Sequence, residues 1–473
     1  AVAPPAANGD AGFGQPGSIP IALSAADPAA LTPEQKRALL ARLLKQRAEA
    51  SASVHPLSYG QRSMWFLYQL APGSPAYNIS FAGRIRGPLD MGALHRAAQA
   101  LVDRHAILRT TYAVRDGRPV QLVHPHWPAQ IDQHDIGADD TESGGWLRRE
   151  SRQPFDLEAG PVFRLSVVRR ASGEQLLVLV VHHIAVDFWS IDVILDELRR
   201  LYAAEHGAER PEPCPQRYVD HAEHQIQMLE SSEGERLWEY WRDRLAGDLP
   251  VIELPMDRPR RVAQTYRGAV HRFTIDRRLT ADLKQTARRA GATPYMTLLA
   301  AYIALLHRYS GQNDILIGSP FAGREQSGLD GVVGYFANPL VLRFDVTGDT
   351  TFASLLGQTK QTVLDALAHQ EFPFTLLVER LKPVRDVGHA PLFQVSFAWE
   401  QHRRFRETRD SDTGIASGAE LDLQTVHIGQ GGAPNELMML MGERDGELVC
   451  ALQYNTDLFD AATIERMAGH FVT

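Results

Sequence analysis

Cysteine is scarce in this chain, with Cys214 and Cys450 the only two among 473 residues. Two thiols cannot build a disulfide framework or a thiolate zinc cluster, so a reducing, cytoplasmic setting is the expectation. Long apolar runs are missing too. The longest, Leu176–Val181, has the length of one buried strand and falls far short of the ~20 residues that cross a bilayer. Positive charge is not in excess: 49 Lys and Arg face 57 Asp and Glu, for a net charge of -8. That balance argues against a dedicated nucleic-acid binder, whose affinity rests on clustered cations. The N-terminus carries neither a basic segment nor an apolar one after it, so no secretory signal is expected. The chain starts at Ala1 and stops inside a helix-like pattern at Thr473. It is therefore expected to be a piece of something longer.

What is present is an ordinary globular composition, 44% hydrophobic, 22% charged and 8% aromatic. The length exceeds one simple core and suggests two lobes. Residues 1–30 are rich in Ala, Pro and Gly, which reads as a flexible tether. In 31–50, Thr32 is a plausible N-cap, Pro33 a first helical residue, and Leu39, Leu40, Leu43 and Leu44 an apolar face. The segment 1–53 is thus a tether with a leading helix, which either packs on its own domain or docks a partner.

From residue 54 onward helical and strand patterns alternate. Helices are expected at 56–70 and 190–206, a helix running into a strand over 93–112, and strands at 161–170 and 175–183. The Pro-rich stretch 210–218 separates this from a second mixed half, and the pattern predicts two α/β lobes, 54–220 and 221–473.

The chemistry concentrates in VVHHIAVDFWS, residues 180–190. An apolar strand delivers two adjacent histidines, then a short loop and a helix. Side chains alternate along a strand, so His182 and His183 point to opposite faces, one into packing and one into an open site. Adjacent histidines are the wrong spacing for one metal ion, and no metal centre is expected. Neutral imidazole can move a proton near cellular pH. Taken alone, the pair reads as two structural histidines at a strand end, satisfied by backbone partners, rather than as a proton-handling group. Asp187, at the loop-to-helix junction, can cap the helix or hold a cation.

HHxxxDxxS resembles the core motif of condensation domains of nonribosomal peptide synthetases, in the chloramphenicol-acetyltransferase-like superfamily. SYGQRSMWFL (58–67), RHAILRTTY (104–112), RYVD (217–220), VVGYFANPLVLR (332–343), HQEFPF (369–374) and RDVGHAPLFQVSF (385–397) resemble its other motifs, in the right order. The resemblance covers about residues 54–473. It implies two acetyltransferase-like lobes forming a V with the active-site tunnel between them. It also implies an acyltransferase that moves a carrier-bound peptidyl or polyketidyl thioester onto an amine or alcohol. Donor and acceptor would arrive on the phosphopantetheine arms of partner carrier proteins, or the acceptor as a free small molecule. No metal, tightly bound cofactor, membrane or nucleic acid is implied, and the domain would act as a monomer.

By the same resemblance His183 is the catalytic histidine and His182 a structural one. Asp187 holds the loop through a salt bridge, with Arg109 as first candidate partner and Arg343 as second. Ser190 is either an oxyanion donor at the helix N-terminus or an ordinary helix-start residue. Phe188 and Trp189 are expected beside the tunnel, and Tyr335 and Asn338 border it or support its loops. Phe188 stands where the family usually has glycine, which narrows one side or fills a void. ANP (337–339) and Thr375 depart from the common pattern in the direction of domains associated with polyketide synthases. Epimerisation relatives carry an additional glutamate motif absent here, and heterocyclisation relatives replace the histidines with aspartates. Recruitment relatives lose the second histidine, which this chain keeps. RPRR (258–261) and Arg288–Arg289 are either a carrier-binding surface or solvated helix faces.

Overall fold

The computed structural model describes residues 51–136, 144–214, 216–260, 267–324, 326–383, 390–400, 420–426 and 432–473, together with Thr32. The tether and leading helix expected at 1–50 lie outside the described residues, apart from Thr32, and so does the 385–389 part of the last motif. Ala52–Thr473 forms one compact unit.

Its strands are β1 (Ser53–Pro56), β2 (Asn78–Arg86), β3 (Thr110–Arg115), β4 (Arg118–Val123), β5 (Ile131–Ile136), β6 (Phe163–Arg170) and β7 (Gln175–His182) in the first half. In the second they are β8 (Gly268–Ile275), β9 (Asp314–Phe321), β10 (Asn338–Asp345), β11 (Val395–Glu400), β12 (Asp422–Val426), β13 (Leu437–Arg444) and β14 (Glu447–Asn455). One mixed sheet runs β12-β2-β7-β6-β5, another β10-β9-β11-β13-β14-β8, and a small antiparallel sheet runs β1-β4-β3. Each large sheet belongs to its own apolar core.

Local chemistry explains the elements that position the site. β7 pairs with β2 on one edge and β6 on the other, and every residue after Gln175 is buried. A strand covered on both faces must be apolar throughout, which is why QLLVLVV reads as a continuous run rather than an alternation. Helix Tyr59–Leu70 starts at a capping box: Ser58 Oγ accepts from the Gln61 amide at 3.2 Å and Gln61 Oε1 from the Ser58 amide at 3.1 Å. Helix Phe188–Ala204 is capped by Asp187, and it begins two residues earlier than its apolar pattern suggests.

The expected clean division at residue 220 needs correction. β12 lies late in the second half yet joins the first sheet, with Leu423 opposite Ile85 on β2. Leu421 and Leu423 are buried in the first core, as are Leu329, Val332, Val333 and Phe336. Strand addition at an open edge satisfies backbone groups wherever the adding segment lies in sequence, so chain position alone could not place these residues. Among the described residues, no helix is long and apolar enough to cross a membrane.

Candidate functional site

β7 ends at His182 and the chain turns sharply after it. His182 is 3% exposed and packs edge-on against Phe155 at 6.2 Å. Its Nδ1 accepts the Ile184 amide proton at 3.1 Å, so that nitrogen carries a lone pair and Nε2 the proton. Burial pushes the His182 imidazole down to about 3, and the ring stays neutral. His183, on the other side of the strand end, has the opposite arrangement. Its Nδ1 lies 2.6 Å from the Val186 carbonyl, which can only accept, so Nδ1 carries the proton and Nε2 the lone pair. Burial holds this imidazole below its ordinary range, partly offset by the Val186 bond and the Asp187 charge. The ring sits between Tyr335, 4.7 Å away, and Phe188, 6.2 Å away, both edge-on. A neutral histidine with a fixed tautomer, and with no hydrogen bond to Nε2 among the described residues, is built to accept a proton from, or orient, a nucleophile.

The loop behind His183 is locked by a buried cluster. Asp187 Oδ1 accepts from the Ser190 amide at 2.7 Å, and Oδ2 from the Phe336 amide at 3.2 Å. Its cation is Arg324, whose Nη2 lies 3.0 and 3.2 Å from the two oxygens, with both side chains at most 3% exposed. Neither expected partner holds. Arg343 pairs with Asp314 at 2.7 Å, and Arg109 keeps Nε and Nη1 buried without a hydrogen-bond partner among the described residues. Burial pushes the Arg109 guanidinium below its ordinary range. Arg324 also donates Nη1 to the Leu329 and Val332 carbonyls and stacks over Phe336 at 4.1 Å. These contacts explain why it, rather than another arginine, is carried here.

Ser190 is corrected as well. Its hydroxyl is fully buried and receives Arg324 Nη2 at 2.8 Å and the Gly334 amide at 3.0 Å. It lies 2.7 Å from Asp187 Oδ1 and 2.8 Å from the Gly334 carbonyl, one of which takes its proton. With every site occupied, it is a loop tie and not an oxyanion donor. Gly334 is needed for this approach, since a Cβ there would stand 2.0 Å from the Tyr218 ring.

The remaining motifs meet on the same loop. Gln61 Nε2 reaches the Ile184 carbonyl at 3.3 Å, and Tyr112 Oη reaches it at 3.4 Å. The Tyr218 hydroxyl donates to the Tyr335 carbonyl at 2.7 Å and pairs with Ser58 Oγ at 2.7 Å. Asn338 donates to the Gln370 and Phe372 carbonyls and accepts from the Phe374 amide, which is loop support. Trp189 Nε1 donates to the Asp330 carbonyl at 3.0 Å. Phe188 is 62% exposed, so it fills no void but stands open beside His183. Arg258 and Arg260 of the basic stretch are engaged with Asp460 and Glu436, and Arg261 lies outside the described residues. Among the described residues, no group of three or more His, Cys, Asp or Glu could hold a metal ion.

Sequence reasoning missed Arg324, and nothing in the turn after β9 distinguishes it from other arginines. It also missed the linking roles of Gln61 and Tyr218, although both lie in quoted motifs. Asp192, one turn into the helix, escaped notice too, and burial with Glu400, Asp187 and Asp196 nearby pushes its carboxyl up to about 7.

The same fold recurs in known proteins. The family model of the condensation domain matches residues 51–473. The chain is 39% identical over 425 residues to a linear gramicidin synthase of Brevibacillus parabrevis, a match that covers 88% of this chain but only 5% of that protein. It is 38% identical over 430 residues to the chondramide synthase of Chondromyces crocatus, covering 89% of this chain and 11% of that protein. The chain thus spans a small part of the length of these relatives. Among solved structures it resembles the four-domain nonribosomal peptide synthetase holo-AB3403, bound to AMP and glycine. There the TM-score is 0.78 at 25% identity, over 89% of this chain and 32% of that one. It also resembles the X-domain of teicoplanin biosynthesis, solved in complex with OxyB, with a TM-score of 0.77 at 27% identity over 88% of this chain and 91% of that one.

Proposed function

Since the chain belongs to the condensation-domain family, we propose that it transfers an acyl group from a carrier-bound thioester to an amine or alcohol, with His183 as the group that handles the nucleophile. The observation that carries this reading is the His183 tautomer. The Val186 carbonyl holds the Nδ1 proton at 2.6 Å and leaves Nε2 as an acceptor. In the step, the acceptor's nitrogen or oxygen attacks the thioester carbonyl, the new C–N or C–O bond forms, and the C–S bond breaks. The nucleophile's proton passes to Nε2 and leaves with the departing thiolate.

The depressed basicity of His183 suits this cycle, because the imidazole is neutral before attack and gives up a captured proton readily. Asp187, Arg324 and Ser190 act through the loop, not on the substrate. The acyl and acceptor groups would be presented on phosphopantetheine arms of partner carrier proteins, with the donor chain peptidyl or polyketidyl. The exposed Phe188 ring is placed to restrict what reaches His183.

The test is intact-mass spectrometry of a transfer reaction. Carrier proteins loaded with peptidyl or polyketidyl groups are offered a panel of amines and alcohols, with wild-type protein or His183→Ala. Transfer that falls by about 10²-fold or more in the variant supports the reading, and product mass tells amide from ester. Transfer indifferent to His183 would overturn it in favour of a partner-recruiting domain.

A further inference from the structure

A cavity of about 250 Å³ lies between helix Tyr59–Leu70, helix Tyr218–Leu229, residues 335–339 with Gly323 and Gln326, and the 370–375 turn. This volume is slightly below the roughly 300 Å³ where pockets for whole drug-sized ligands begin, so it suits a substituent. His183 does not line it. Tyr335 does, and the same ring lies 4.7 Å from the His183 ring. One side chain therefore walls both the reacting centre and the cavity. Gly60 permits this placement, because a Cβ there would stand 2.9 Å from Tyr335 Cε1.

The walls are mixed. Met64, Met228 and Phe374 supply apolar surface, while Ser63, His221 and Thr375 supply polar groups. His221 packs against Phe336 at 4.7 Å and Tyr218 at 5.6 Å. Its Nδ1 is walled off with no hydrogen-bond partner among the described residues, which leaves Nε2 as the nitrogen that can meet a guest. Burial, with His224 and Arg324 nearby, holds this imidazole down to about 4, so His221 meets a guest as a neutral group. The lining carboxylate, Glu371, is exposed and accepts a hydrogen bond from Gln326 at 3.3 Å. An interior of this kind penalises a charged guest and rewards a neutral one that hydrogen-bonds.

We propose that this cavity is a subsite for an uncharged, hydrogen-bonding substituent carried by one of the two substrates joined at His183, with His221 as its hydrogen-bond partner and Tyr335 as the shared wall. The inference rests on the transferase reading above. His221→Phe keeps the ring packing and removes both nitrogens. Ser63→Leu narrows the space from the opposite helix.

Two arms locate the source of the substituent. With an acetyl donor, transfer to serine or glutamine acceptors is compared with transfer to glycine. With a glycine acceptor, 3-hydroxyacyl donors are compared with plain acyl donors. In one arm the ratio of kcat/KM values, substituted over unsubstituted, should fall about three- to tenfold in both variants, the worth of one neutral hydrogen bond. Ratios unmoved in both arms, including parallel loss for both substrates, would overturn the subsite. A catalysis-free arm uses saturation-transfer NMR with N-acetylserine methylamide and N-acetylglycine methylamide. A serine-probe signal that disappears in both variants supports the subsite even if the wild type transfers nothing, which would sink only the transferase reading. Equal signals for both probes, or signals insensitive to both variants, count against the subsite.

Discussion

Asp187→Ala should damage the fold more than any other single change at this site. The substitution strands Arg324, whose side chain is 1% exposed, without its counter-charge. Removing one member of a buried pair costs about 3–5 kcal/mol. The same carboxylate caps helix Phe188–Ala204 through the Ser190 amide, and losing a cap costs about 1 kcal/mol. The expected loss is therefore about 4–6 kcal/mol, a large part of the roughly 5–15 kcal/mol that holds a typical domain together. Arg324→Met should cost less, because Asp187 keeps its bonds from Ser190 and the Phe336 amide. The double variant should then be less damaged than the sum of the singles, by about 2 kcal/mol, within the range seen for residues in one network. Urea unfolding followed by tryptophan fluorescence and circular dichroism measures all three. As a control, Arg343→Met should add to Asp187→Ala without coupling, since Arg343 belongs to Asp314. Additive losses for Asp187 and Arg324, or coupling to Arg343, would refute the assignment of the pair.

Three further outcomes are expected. His182→Asn keeps an acceptor for the Ile184 amide but removes a histidine held down to about 3. Between roughly pH 6.5 and that value the unfolded chain binds a proton that the folded chain refuses, so wild-type stability falls as pH drops. The variant should lose about 1.4 kcal/mol per pH unit from that slope, measured by urea midpoints at pH 6 and pH 5, and an unchanged slope would show that His182 is not buried neutral. Arg109→Met should leave stability unchanged or raise it, because two of its buried nitrogens have no partner among the described residues, and a loss above about 2 kcal/mol in the same assay would reveal a partner. Phe188→Ala removes a ring that is 62% exposed, so stability should shift by less than about 0.5 kcal/mol. Transfer to bulky acceptors should rise several-fold relative to small ones, and an unchanged ratio would show that the ring does not restrict access.

Much of the architecture is legible in the sequence, because it depends on local chemistry. The apolar run 176–181 demands a strand buried on both faces, and β7 is one. The strand period places His182 and His183 on opposite faces, and one is packed while the other is partly open. Asp187 ahead of a helical pattern reads as a cap, and it is one. Each of these is decided within a few residues, where spacing and side-chain type are sufficient.

Tertiary structure alone decided the rest. Asp187 needed a cation, but arginines are alike in sequence, and the one that serves it lies 137 residues away. Packing of Leu329, Val332, Val333 and Phe336 into the first core selects it, and no periodicity records that choice. Ser190 looks free to donate in the sequence, but Gly334 and Arg324 occupy it in the fold. The two histidines differ in tautomer because one meets an amide and the other a carbonyl, a distinction that exists only once the turn is folded. β12 joined the first sheet because an open edge accepts any compatible strand, however late in the chain it comes. The residue types were dictated by the sequence, but which of them meet was settled by long-range packing.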